Sequence, residues 1–140
     1  MAAKMSALKY RRLNSDEADQ AYVLAHMGNP SLTLESWRAV VDSAPAVGGV
    51  IAAVANDCVR AILAYSISTT SSGERQFMVD TLVAFDLLRP EKLIEPLVAA
   101  ACDLARKGCS SIGLSSRIDA PGYDAVMRQI SDAAVLHRVI

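Results

Sequence analysis

The chain has 140 residues, 52% of them hydrophobic and 21% charged, which is too apolar for a disordered segment and too evenly interrupted by polar residues for a membrane span. Its 14 basic and 15 acidic residues leave a formal net charge of -1, so no electrostatic pull toward nucleic acid or an anionic membrane is expected. The length predicts one soluble domain over residues 1–140, large enough to bury a core without staples.

Residues 7–13 read as a short strand. Asn14 is then placed to cap a helix, with Glu17 three residues on as in a capping box, and Asp16, Glu17 and Asp19 crowd the first turn, where the helix dipole favours negative charge. Ala18, Ala21, Tyr22 and Ala25 share a face at helical spacing, and Gly28 stops the helix before Asn29 and Pro30. A second helix begins at Thr33, buries Leu34, Trp37 and Val41, and is closed by Pro45. Residues 49–55 and the run CVRAILAYSIS form two strands joined by a two-residue Asn56-Asp57 turn, with Val59, Ala61, Leu63, Tyr65 and Ile67 alternating onto one face.

TTSSGE is a loop, and RQFMVDTLVAF is the next strand. In DLLRPEKLIEPLVAAACDLARKG an apolar stripe of Leu93, Leu97, Ala101 and Leu104 predicts a helix that ends at Gly108. A short buried strand follows in CSSIGLSS, then a helix around residues 122–130 with Tyr123, Met127 and Ile130 on one side, then a terminal strand near 135–140. The late strand–helix–strand unit requires a parallel pair, while the hairpins before it make antiparallel pairs. The expected fold is therefore α+β, of order β-α-α-β-β-β-α-β-α-β, with a mixed, mostly antiparallel central sheet flanked by helices on both faces.

Cys58, Cys102 and Cys109 are too few and too scattered for a disulfide scaffold, and no export signal precedes Arg11, so a reducing cytoplasm fits best. Cys102 lies on the apolar helix as packing, Trp37 is a core anchor, and Arg11 and Arg12 are solvent-facing strand charges. His26 and His137 have no partners at metal-ligand spacing, and no serine or cysteine has the flanking glycines of a nucleophile elbow.

The element order, and the segment VDTLVAFDLLRPEKLIEPLVAAACDLARKGCSSIGLSS in particular, resembles the GNAT superfamily of acyl-CoA-dependent N-acetyltransferases. In order the resemblance spans almost the whole chain; in specific letters it spans residues 82–114. DLARKG followed by SSIGLSS stands where that family's helix end and fifth strand belong, whereas its phosphate-binding loop is altered. Arg89 matches the loop's first residue, but Lys92 and Ile94 occupy the places of two small residues, and Pro90 and Pro96 remove amide donors. Such glycines let backbone N–H groups approach a pyrophosphate at a helix N-terminus. Pro96 is tolerable there if it falls within the first turn.

The resemblance implies acetyl-CoA as cosubstrate, held by Leu82, Val83, Ala84, Arg89, Lys92, Leu93 and Ile94, with no metal. It also implies direct attack of an amine, either a small molecule or a peptide. That chemistry needs a base for the ammonium proton, a dipole for the thioester oxyanion and a proton for the departing thiolate. The dipole would be a backbone N–H among Leu82, Val83 and Ala84. Asp80 and Glu74 are the base candidates, with Asp80 favoured by its place between apolar strand residues. The family's acid tyrosine aligns with Val126 and Met127, which leaves Tyr123, one turn earlier, or the weaker Ser115 and Ser116. The missing acid and altered loop leave open a GNAT-fold binding or regulatory module without transfer, or an unrelated α+β sensor. One terminal strand where the family often has two makes a homodimer an expectation.

Overall fold

The structure, a computed structural model, describes residues 8–85, 90–115, 118–130 and 135–138; among these, the side chains at 90, 91, 120, 130 and 135–138 are not described. Arg89, Ser116 and the side chains of Ile130 and His137 thus lie outside the described residues. The elements follow as β1 (Lys9–Arg12), α1 (Ala18–Gly28), α2 (Leu34–Val41), β2 (Gly48–Ala55), β3 (Cys58–Thr69), β4 (Arg75–Ala84), α3 (Pro90–Gly108), β5 (Ser111–Leu114), α4 (Ala120–Ile130) and β6 (Val135–Arg138). This is the predicted order.

The six strands form one sheet in sequence order. The first three pairings are antiparallel, and those of β4 with β5 and β5 with β6 are parallel. The β2–β3 hairpin turns on Asn56 and Asp57 with φ of 53° and 63°, the left-handed conformation that a two-residue turn between twisted strands requires. Arg60 is an extra residue on β3, since Ala53 pairs with Ala61 and Val54 with Val59. This bulge breaks the expected alternation: Val59 packs against the α1–α2 core, whereas Ala61, Leu63, Tyr65 and Ile67 face the other side.

One sheet face is covered by α1 and α2. A single 3₁₀ turn (Ser15–Glu17) leads into α1, and the Asn14 N–H donates to the Glu17 carboxylate at 3.0 Å, as the capping box predicts. Thr33 caps α2 by accepting from the Ser36 N–H at 3.1 Å. Trp37 is fully buried and its Nε1–H donates to the Ala18 carbonyl at 2.7 Å, tying α2 to the start of α1. Gly28 does more than end a helix. A Cβ there would stand 2.5 Å from Val83 Cγ2 and 2.9 Å from Thr81 Cγ2, so its lack of a side chain lets α1 close directly onto β4.

The other face is covered by α3 and α4, over Leu63, Tyr65, Phe77 and Val79. The buried stripe of α3 runs Leu93, Leu97, Ala101 and Ala105, flanked by Ile94, Val98 and Cys102; Leu104, expected inside, is 40% exposed. A four-residue step from Ala101 reaches Ala105, while a three-residue step turns Leu104 out of the seam. Among the described residues of α4, Gly122, Ala125 and Val126 are buried and Met127 is exposed, so the helix is rotated from the expected Tyr123–Met127 face. Pro96 lies inside α3, beyond its first turn. It therefore deletes a helical hydrogen bond to the Lys92 carbonyl rather than occupying a position where the donor is spare.

The two β1 arginines are half-buried and bonded instead of facing solvent. Arg11 grips Glu17 with two bonds of 2.8 and 2.7 Å, which together with burial-opposed backbone bonding at Asn14 holds the Glu17 carboxyl below its usual range. A lowered folded-state pKa contributes stability above the unfolded carboxylate value, and that stability is lost as pH falls through the folded one. Glu17→Gln should therefore cost on the order of 1 kcal/mol near neutral pH, discounted for the partly exposed guanidinium, and the gap should close as pH falls below about 4. Urea melts of both proteins at pH 7 and pH 3 measure this; a gap that is constant with pH would contradict it.

Candidate active site

The site is built by a bulge. On β4, Tyr65 pairs with Val79 and Ala64 with Thr81, so Asp80 is an extra residue. Before it, the Val79 carbonyl accepts the Ser115 N–H at 2.9 Å and the Arg75 carbonyl accepts the Ser110 N–H at 2.8 Å, so the odd-numbered residues bond toward β5. After it, the Phe85 N–H donates to the Arg60 carbonyl on β3 at 2.8 Å. Antiparallel ladders alternate, so Thr81 and Val83 also bond toward β3, while Leu82 and Ala84 turn their N–H groups to the β5 side. Among the described residues β5 pairs with β4 only as far as Val79. Among the described residues the seam between β4 and β5 is open beyond this point, and backbone donors of β4 face it.

A cavity of about 280 Å³ fills this opening. Leu82, Val83 and Ala84 form its back, Met27 and Gly28 come from α1, Ile94 from α3, and Asp119 and Pro121 from the turn into α4. Elements from both sheet faces thus share one cavity, which is possible only because β5 stops short. The wall divides about evenly between polar and apolar surface, and Met27 and Phe85 remain 58% and 54% exposed at this end of the sheet.

Of the residues expected to hold a cofactor, Leu82, Val83, Ala84 and Ile94 meet in this cavity. Ile94 is 5% exposed and turned into the core, serving as inner wall rather than standing over the helix start. Leu93 is buried in the core beneath α3, and Lys92 is exposed at the first turn. With α3 beginning at Pro90, which has no N–H, the amides of Glu91 and Lys92 are left without a partner inside the helix.

Asp80 is half-buried at the bulge, two residues before the cavity wall begins. Tyr123 is half-buried in the first turn of α4 and packs against the core; its neighbour Gly122 lies close enough to Leu82 that a Cβ would come within 2.9 Å of Leu82 Cδ2. Neither Asp80 nor Tyr123 is part of the cavity wall itself. Glu74 is exposed at the opposite end of β4 and cannot serve the opening. Val126 is fully buried.

The sequence reading missed Met27, Gly28, Asp119 and Pro121. Asp119 accepts the Gly122 N–H at 3.1 Å through Oδ1 and the Tyr123 N–H at 2.9 Å through its carbonyl, so it caps α4. An aspartate before Ala-Pro-Gly was a legible cap signal. Burial pushes the thiols of Cys102 and Cys109 up, and neither is part of the cavity wall. Among the described residues, no group of three or more metal-ligating side chains gathers and no helix is long and apolar enough to cross a membrane.

No protein-family model matches the sequence, and no curated protein matches it. Solved structures do match its shape. The aminoglycoside N-acetyltransferase AAC(6')-Iy in complex with CoA superposes with a TM-score of 0.70 at 14% identity, covering 100% of this chain and 96% of that one. A ribosomal-protein-alanine N-acetyltransferase from Brucella melitensis biovar Abortus 2308 gives 0.70 at 15% identity, over 96% and 98% of the two chains. An acetyltransferase from Trypanosoma brucei gives 0.64 at 19% identity, over 79% and 83%. Mixed sheet, bulged fourth strand, opened seam and these superpositions together place the chain in the GNAT acetyltransferase fold.

Proposed function

We propose that the protein is an N-acetyltransferase that moves an acetyl group from acetyl-CoA to an amine by direct attack. The observation that carries this reading is the cavity at the end of β4, open to both sheet faces and backed by the Leu82 and Ala84 N–H groups. A thioester entering from the α3–α4 side and an amine from the α1 side would meet there. The amine nitrogen attacks the thioester carbon, the carbonyl oxygen takes up negative charge against a β4 N–H, and collapse breaks the carbon–sulfur bond to release the thiolate. Asp80 receives the ammonium proton, and Tyr123, at the start of α4 just after the cavity's Asp119 and Pro121, gives a proton to the departing thiolate. The N-terminal amides of α3 and Lys92, with Arg89, would face the pyrophosphate. One structural neighbour was solved with CoA, which supports the choice of donor.

Thermal denaturation with and without acetyl-CoA tests the reading. A ligand at a hundred times its Kd adds about 2.7 kcal/mol to a native state, which for a domain of this size raises Tm by roughly 5–10 °C. No shift at millimolar acetyl-CoA would overturn the assignment.

A further inference from the structure

A second cavity, about 380 Å³, lies on the α3 side of the sheet between α3 and strands β1 to β3, and continues past Tyr65 and Leu104 into a recess of about 280 Å³. It shares no wall residue with the cavity at the end of β4. Tyr10, Ile51 and Tyr65 make an apolar floor, and Ala100, Leu104 and Lys107 of α3 make the facing wall. Tyr65 is fixed there by stacking on Phe77, with ring centroids 4.7 Å apart.

Arg12 is the unusual member. Its guanidinium lies against Gly49, where a Cβ would come within 2.3 Å of Nη1. Nη1 donates to the Gly48 carbonyl and the Tyr65 hydroxyl, each at 3.2 Å, and Nη2 donates to the Ser43 carbonyl. All three acceptors are neutral, and Nε–H has no acceptor among the described residues. The other β1 arginine and Arg38, Arg106 and Arg128 are each paired with a carboxylate. Along the same groove Arg75 donates to the Ala46 carbonyl at 2.7 Å, Lys107 is exposed, and neither has a carboxylate among the described residues. The groove's acid, Asp103, is engaged by Arg106 at 3.0 Å.

A half-buried cation held only by neutral oxygens is stabilised by an incoming anion, which gains a charge-assisted bond in a partly dry site. The floor beside it favours an apolar body. We propose that this groove is a ligand site separate from the acyl-transfer cavity, taking a small molecule with one carboxylate or phosphate on an aromatic or branched apolar body. The anion lies between Arg12 and Lys107, and the apolar body rests on Tyr65 and Ile51.

Titration of the folded protein with phenyl phosphate, phenylacetate and the uncharged 2-phenylethanol, followed by amide chemical shifts, tests this. At least one of the two anions should move the Tyr10, Arg12, Ile51 and Lys107 signals saturably with a Kd below about 1 mM, and the alcohol should bind at least about tenfold more weakly. Whichever anion binds more tightly identifies the preferred headgroup. Arg12→Gln should abolish binding; because Arg12 also holds the Ser43 and Gly48 carbonyls, Lys107→Glu on the exposed wall is the control that leaves the fold intact, and it should weaken the anion about tenfold. Shifts absent with both anions, equal binding of the alcohol, or unchanged affinity in Lys107→Glu would each overturn the proposal. Acetyl-CoA binding is read separately and does not decide it.

Discussion

Trp37→Ala is expected to lower stability by about 4 kcal/mol, the largest loss from any single side chain on the α1–α2 face. Trp37 is 1% exposed, so the truncation forfeits nearly all of an indole's burial and leaves a void between α2 and the sheet. It also removes the 2.7 Å bond to the Ala18 carbonyl, which joins the two helices at a buried point. A domain of this size has roughly 5–15 kcal/mol in total, so the variant sits near the edge of folding. Trp37→Phe separates the contributions: most of the volume stays, the donor goes, and the cost should fall to about 1–2 kcal/mol. Urea unfolding of the three proteins measures both; a loss under about 1.5 kcal/mol for Trp37→Ala would mean the helices are held by something other than this anchor.

Local chemistry was legible where it is decided by neighbours in sequence. The Asn14–Glu17 capping box, the Thr33 cap and the Asn56–Asp57 turn each follow from side chains within a few residues, and each stands where it was read. The two bulges were not legible, since an extra residue on one strand is set by the register of its partner, and nothing in VDTLVAF marks Asp80 as the extra one. That omission mattered most for the site, because the bulge decides which β4 amides face the opening. The role of Arg12 was hidden for a similar reason: strand alternation cannot tell that Gly49, across on β2, makes room for a guanidinium. Letters alone align Ile94 with a small residue of the phosphate loop; helix phase turns it inward to the core instead.

Asp80→Asn is expected to lower kcat/KM for amine acetylation by about 10²–10⁴-fold at neutral pH while leaving the acetyl-CoA thermal shift unchanged. An aliphatic amine is almost wholly protonated at pH 7, with a pKa near 10, and only its free base attacks a thioester. Asp80 is the ionisable residue that the bulge inserts at the mouth of the seam, half-buried between Val79 and Thr81. Asparagine keeps the shape and hydrogen-bonding capacity of the bulge but cannot take a proton, so a purely structural role predicts a small loss that is independent of pH. A base predicts a different signature. The deficit should shrink as pH rises toward the amine's own pKa, because solvent then supplies the free amine that the variant cannot make. Comparing kcat/KM of the two proteins from pH 6 to 10 separates these outcomes; a deficit below about tenfold, or one that stays constant across that range, would assign the deprotonation to water and leave Asp80 as the residue that shapes the opening.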